Sequence, residues 1–259
     1  MKHYQHRPRK RFGQNFLTDE QVIHSLVEVI SPETDDNMIE IGPGLGAMTF
    51  SLLPKLKQLT VIELDRDLAS QLRGQFSEKL KVIEEDALNV DLNRFVTSGC
   101  LLRIVGNLPY NISTPLIFHF LLMVSLIADM HFMLQKEVVD RLAAKPGSKT
   151  YGRLSVMVQY FCEVEKLIDI RPDAFYPPPK VQSAFVRLKP YVVKPFVAND
   201  FQHFASIVKQ AFSQRRKTLR NNLPQFTAEQ FEKVGIDPKT RAEQLTVEEY
   251  VKLASINLS

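Results

Sequence analysis

Met38-Ile39-Glu40-Ile41-Gly42-Pro43-Gly44-Leu45-Gly46-Ala47 is a short apolar run that ends in alternating glycines, and helical spacing follows it over Thr49–Leu56. Glycines let a backbone turn tightly and approach a ligand without Cβ clashes. Strand, glycine turn and helix form the opening unit of an α/β sheet. Similar units recur downstream. Thr60–Leu64, Lys81–Ile83, Leu101–Val105 and Met130–Leu134 read as strands, with helices at Leu68–Phe76 and Pro115–Met123. This alternation predicts an α/β fold with a doubly wound, mainly parallel sheet. Runs near Val164–Ile170 and Ala184–Leu188 can close its edge, in a direction the sequence leaves open.

After Lys189-Pro190 the pattern changes. Phe201–Phe212, Lys217–Leu223, Ala228–Val234 and Val247–Ile256 have helical spacing, with turn signals at Pro224 and at Gly235–Pro238. The expected organisation is an α/β domain over residues 1–189 and a small all-helical domain over residues 190–259.

Bulk properties narrow the function classes. The 259 residues are 44% hydrophobic and 24% charged, as in an ordinary globular protein. The start of the chain lacks the apolar core of a signal peptide. The longest apolar run, Leu116 to Leu134, is broken by His119, Asp129 and His131, so a buried helix and strand explain it better than a membrane span. Cys100 and Cys162 have no metal-like spacing, and no metal site is expected. Both read as buried thiols of a cytoplasmic protein. The net charge is only +4, yet basic residues cluster. Lys2, Arg7, Arg9, Lys10 and Arg11 precede the first acid, and Lys209, Arg215, Arg216, Lys217 and Arg220 lie in an acid-free stretch. Such stretches are often solvated faces; two of them tilt the reading toward a polyanionic partner.

The chemistry gathers at strand ends. Gly42, Gly44 and Ala47 satisfy a relaxed dinucleotide fingerprint, and Glu63 follows about 20 residues later, as that fingerprint expects. A nicotinamide-dependent oxidoreductase is therefore a rival at this point, and a turn with no ligand is the plain alternative. Glu63, ending the second strand, can accept from both hydroxyls of a ribose. Asp86, after the third strand, can accept from an adenine amino group. A lone acid at a strand end is commonly a cap or turn residue. Three such features on adjacent strands mark the ligand-binding rim of an open α/β sheet.

Asn107-Leu108-Pro109-Tyr110 follows the fourth strand on that rim and separates the rivals. An adenine amine is a poor nucleophile because its lone pair is delocalised into the ring. An Asn oxygen and the carbonyl before a proline can together accept both amine hydrogens. This favours pyramidalisation and aims the lone pair at a sulfonium methyl. Pro109 fixes φ and has no N–H to compete. Tyr110 offers a face for an extruded base, a contact worth roughly 1–3 kcal/mol. No general base or metal is needed, because the task is positioning.

Five ordered motifs now bring a resemblance into view. Arg9-Lys10-Arg11-Phe12-Gly13-Gln14-Asn15-Phe16-Leu17, the glycine loop, Asn107–Tyr110, Pro177-Pro178-Pro179-Lys180-Val181-Gln182-Ser183-Ala184 and Gln214-Arg215-Arg216-Lys217-Thr218-Leu219-Arg220 resemble the KsgA type of the ribosomal RNA adenine dimethyltransferase family. The resemblance covers nearly the whole chain. It implies a Rossmann-like class I methyltransferase domain followed by a small helical domain, working with S-adenosylmethionine. By position, Asn15 and Leu17 would close over that cofactor. Gly42 would meet its methionine portion, Glu63 its ribose and Asp86 its adenine amine. Asn107 would stand between cofactor and target base, with Leu108 and Pro109 shaping the acceptor. Tyr110 and Phe175 would sandwich the base. Tyr176 follows Phe175, and sequence alone leaves open which ring stacks; Phe175 occupies the family position.

The implied reaction forms N6,N6-dimethyladenosine on two adjacent adenosines in the 3′-terminal hairpin loop of 16S rRNA, within an assembling small (30S) subunit. Asn at 107 agrees with dimethylation, since the related Asp-Pro-Pro-Tyr type typically adds one methyl. Arg215, Arg216, Lys217 and Arg220 would meet rRNA phosphates from a helix, on which Arg216 and Arg220 share a face. A cytoplasmic monomer with no membrane attachment is expected. Two rivals within reach are an Erm-type enzyme acting on 23S rRNA and a non-catalytic factor that binds the immature small subunit.

Overall fold

A computed structural model describes residue 9 and residues 13–75, 78–96 and 99–256. The N-terminal basic run, Arg9 excepted, lies outside the described residues. The chain divides into two compact units, residues 1–139 with 165–190 and residues 140–164 with 191–259.

In chain order the elements are β1 (Phe16–Leu17), α1 (Glu20–Ile30), β2 (Asn37–Ile41), α2 (Ala47–Leu52), β3 (Leu59–Glu63), α3 (Arg66–Gln75), β4 (Leu80–Glu84), β5 (Leu102–Asn107), α4 (Ser113–Leu121) and β6 (Ile127–Gln135). Then come α5 (Lys136–Leu142), α6 (Arg153–Gln159), β7 (Cys162–Ile170), β8 (Phe175–Tyr176), β9 (Ser183–Pro190), α7 (Phe201–Ala211), α8 (Leu219–Asn222), α9 (Ala228–Lys233) and α10 (Val247–Ala254).

Seven strands form the main sheet in the order β4-β3-β2-β5-β6-β9-β7. The first five run parallel, and β9 pairs antiparallel with β6, Met130 opposite Leu188. This is the doubly wound sheet that the alternating pattern predicts. The open question of its edge resolves as an antiparallel β9 placed inside β7. All five residues of β3 are buried, as expected for a strand covered on both faces. The chain runs outward from β2 through β3 and β4, then returns to β5 on the other side. The winding reverses between β2 and β5, where α/β sheets bind ligands. Gly106 permits the close approach there, since a Cβ would stand 2.6 Å from the Ile41 carbonyl oxygen.

Helix α1 was not read from the sequence. Asp19 caps it by accepting from the Gln21 and Val22 amides, and Ile23, Leu26, Val27 and Ile30 form its buried stripe. Small strands β1 and β8 pair antiparallel, Leu17 opposite Phe175.

The second unit has an aromatic core. Tyr160 and Phe204 lie 4.6 Å apart between ring centroids, and Phe231 and Tyr250 are fully buried. Residues 140–164 group here, although the sequence boundary assigned them to the first domain. Helix α8 is shorter than the helix read at Lys217–Leu223, and Arg215–Lys217 sit on the turn before it. Thr218 is extended at the start of α8, and the Asn222 side-chain amide donates back to the Ala211 and Gln214 carbonyls at 2.6 and 3.1 Å, tying α8 to the end of α7. Cys162 is buried, whereas Cys100, expected to be buried, is exposed. Burial pushes the Cys162 thiol up to about 12. Among the described residues, no helix is long and apolar enough to cross a membrane.

Candidate active site

A cavity of about 340 Å³ opens at the winding reversal. Its walls come from residues 13–17, the glycine loop, the ends of β3 and β4, and Asn107–Ile112. Of the residues singled out by sequence, Asn15, Leu17, Gly42, Glu63, Asp86, Asn107, Leu108, Pro109 and Tyr110 all line it.

Glycines shape one wall. Gly42 and Gly44 both take φ near +60°, and a Cβ on Gly44 would come within 3.0 Å of the Phe16 ring. Glu63 is 7% exposed and braces the loop. One of its oxygens accepts from the Gly44 amide at 3.1 Å and the other from the Asp65 amide at 2.9 Å. The Leu64 amide also acts on this carboxylate, and since a carboxylate has about four acceptor positions, capacity remains toward the cavity. Burial raises the Glu63 pKa despite these amides. Asp86 accepts from the Leu88 amide at 3.0 Å, the cap role a lone strand-end acid would play, and it also faces the cavity.

The opposite wall is the tetrapeptide. Asn107 ends β5 and donates its side-chain amide to the Asn15 carbonyl at 2.9 Å. A carbonyl can only accept, so this contact fixes which end of the amide is nitrogen. Leu108 is buried, and its N–H bonds the Met133 carbonyl at 3.2 Å. The next two carbonyls are spent inside the loop, Pro109 on the Ile112 amide and Tyr110 on the Ser113 hydroxyl. Tyr110 is half-buried, and its hydroxyl shares a 2.7 Å hydrogen bond with the buried Ser183 hydroxyl. Burial raises the phenol's pKa, which keeps it protonated.

Three placements differ from the sequence expectations or went unread. Phe175 is 3% exposed, packed in the core with Leu17 and Phe185, and does not line the cavity; its neighbour Tyr176 is 53% exposed. Arg215, Arg216, Lys217 and Arg220 are exposed in the second unit, and Arg215 donates to the Lys149 carbonyl. Glu40, in the glycine stretch, has no role among the sequence expectations. It lines the cavity at 2% exposure and accepts from the Thr49 hydroxyl at 2.6 Å. Burial pushes its carboxyl up to about 7, and nearby Glu63 adds to the rise. An acid two residues before the glycine turn, inside an apolar run, is the signal the sequence offers.

A model of the ribosomal RNA adenine dimethylase family matches residues 5–257. The chain is 56% identical over 252 residues to the ribosomal RNA small subunit methyltransferase A of Legionella pneumophila, covering 96% of this chain and 97% of that one. It is 55% identical over 253 residues to the same-named protein of Saccharophagus degradans, covering 96% and 94%. Among solved structures, a dimethyladenosine transferase from Plasmodium falciparum superposes with a TM-score of 0.78 at 25% identity, covering 92% of this chain and 95% of that one. The 23S rRNA methyltransferase ErmE shares the fold, with a TM-score of 0.74 at 23% identity, covering 93% and 98%.

Proposed function

The chain belongs to the ribosomal RNA adenine dimethylase family and is an rRNA adenine dimethyltransferase, and from this premise we propose how and on what its site acts. The substrate is 16S rRNA in the assembling small subunit, and the product is N6,N6-dimethyladenosine at two adjacent adenosines of the 3′-terminal hairpin. The small-subunit name carried by relatives at 52–56% identity supports this choice over 23S rRNA.

The observation that carries the mechanism is the fixed amide of Asn107. With its NH2 on the Asn15 carbonyl, Oδ1 is the end that accepts from a target amine. The Leu108 carbonyl serves as second acceptor. Together they hold both amine hydrogens and direct the nitrogen lone pair. S-adenosylmethionine supplies an electrophilic methyl group on a sulfonium sulfur. The cavity residues fit it: Glu63 has acceptor capacity left for ribose hydroxyls, Asp86 faces an apolar slot suited to adenine, and Gly42, its N–H on the Ile62 carbonyl, lines the wall where the methionine portion would lie. Asn15 and Leu17 would close the cavity over it. No proton acceptor is required before transfer, and positioning alone accounts for the step.

Tyr110, held by Ser183, provides a ring face for the extruded base. Phe175 would join it only after being uncovered, whereas Tyr176 is open to solvent. Arg215, Arg216, Lys217 and Arg220 would meet rRNA phosphates, adding affinity and salt dependence without sequence readout. A ribosomal substrate implies a cytoplasmic protein, and we expect a monomer.

Purified small and large subunits, each supplied with labelled S-adenosylmethionine, provide the test. Label in the two 16S adenosines is expected, and label confined to 23S rRNA would overturn the assignment. Asn107→Ala should lower transfer by about 10²–10³ with small-subunit binding kept, in line with removal of one transition-state hydrogen-bonding group.

A further inference from the structure

Residues 13–17 lie along the cavity and touch its rim on both sides. A Cβ on Gly13 would stand 3.2 Å from Asn111 Oδ1, and the Phe16 ring covers Gly44. Between them Asn15 holds Asn107. Phe16 and Leu17 pair with β8, and a further tie is polar. Gln14 Nε2 donates to Asp65 Oδ2 at 3.3 Å, Gln14 Oε1 accepts from the Arg9 amide at 2.8 Å, and Arg9 Nη1 donates to Asp65 Oδ1 at 2.9 Å. Asp65 is 1% exposed. Its Oδ1 also takes the Asp67 amide at the start of α3, and its own N–H donates to Glu63 Oε1. One buried acid therefore ties the segment to the Glu63 side of the cavity.

We infer that Gln14 and Asp65 are positioning residues for methyl transfer, acting through the Asn15 carbonyl on the orientation of Asn107. An asparagine amide has nearly the same shape in both flipped orientations, so sterics alone do not choose between them. Oxygen toward the target accepts from the amine, whereas nitrogen toward it sets donor against donor. The Asn15 carbonyl makes the choice, and it does so only while residues 13–17 are held in place. Gln14 and Asp65 hold the end of the segment that precedes Asn15, and the pairing of Phe16 and Leu17 with β8 holds the end that follows it. This inference rests on the role given to Asn107 above.

A donor–acceptor exchange tests it. Gln14→Glu sets a second carboxylate against Asp65. The double variant Gln14→Glu/Asp65→Asn restores the hydrogen bond with roles exchanged, and Asn keeps a side-chain acceptor at the start of α3. Expected for Gln14→Glu is a fall of about tenfold or more in kcat on small subunits, because slight misplacement is costly in a positioning mechanism. KM for the subunit should move little, and amides 13–17 should exchange faster with solvent. The double variant should recover both kcat and protection. Undiminished kcat in Gln14→Glu, or no recovery in the double variant, would overturn the inference. Gln14→Met, which removes the tie without adding charge, gives the same readouts should Gln14→Glu fold poorly. If the unaltered protein methylates neither subunit, it is the proposed function that fails, and exchange at residues 13–17 still decides whether Gln14 and Asp65 hold them.

Discussion

At the N-terminal end of β5, Arg103 gives all five of its N–H donors to partners within the fold: Asp129, Asp36 and the Ile30 and Ser31 carbonyls, at 2.6–3.1 Å. At the C-terminal end of the same strand, Asn107 gives its NH2 to Asn15 and turns its oxygen toward a cavity. The acids around the two ends differ in the same way. Burial pushes Asp129 up, but His131 and Arg103 pull it down further, and its pKa is lowered. Glu63 and Glu40, buried with no cationic partner among the described residues, are raised. A charged group whose bonds close within the fold is structural. One that stays buried while facing empty space with acceptor capacity left is held ready for a ligand.

The largest effect is expected from breaking the closed end. Arg103→Ala strands Asp36 and Asp129 and should cost about 3–5 kcal/mol in chemical denaturation, with methylation per folded molecule retained. Loss of activity without loss of stability would erase the distinction between the ends. Glu63→Gln at the open end should do the reverse. It should weaken S-adenosylmethionine binding by about tenfold to a hundredfold, corresponding to about 1.5–3 kcal/mol for hydrogen bonds to a charged group, seen by calorimetric titration. Stability should fall by about 1–3 kcal/mol, because the Gln NH2 faces one of the two backbone amides that the carboxylate accepts.

Glu40 sharpens the comparison through pH. Its folded-state pKa of about 7 lies above the ordinary 4.5, so the folded protein keeps a proton that the unfolded chain releases. The stability this contributes is complete below the ordinary value and is lost as pH rises through about 7. The unaltered protein should therefore weaken across that window by up to about 1.4 kcal/mol per pH unit from this group, and Glu40→Gln should remove the slope in urea titrations. The smallest effect is expected at Ser183→Ala. It should raise KM for the subunit about fivefold, matching a hydrogen bond of about 1 kcal/mol. Tyr110→Phe/Ser183→Ala should be no worse than Tyr110→Phe alone, since both remove one bond.

The parallel strands were legible because burial on both faces makes them continuous apolar runs, as in β3. Glu63 and Asp86 were legible because strand ends of such a sheet share one rim. Strand direction is not written in an apolar run, so the antiparallel β9 could not be read. Nothing in composition marks residues 140–164 as belonging with the helical unit. The Tyr110–Ser183 bond and the closed Arg103 cluster join residues distant in sequence, and only tertiary structure brings them together. Periodicity starts a helix at Lys217, whereas α8 begins at Leu219, after the extended Thr218. Phe175 was placed by resemblance, while its burial depends on pairing with Leu17.

The antiparallel strand also has a consequence for how the protein is made. β9 lies between β6 and β7 in the sheet, yet among the described residues it is the last strand to be synthesised. A chain emerging from the ribosome can align β2 to β6 early, but β7 has no neighbour in the sheet until residue 190 has cleared the exit tunnel. Ser183, the partner of Tyr110, arrives with that same strand. The Tyr110 side of the cavity is thus completed late in translation, after the glycine-loop wall, and an incomplete nascent chain holds half a cavity.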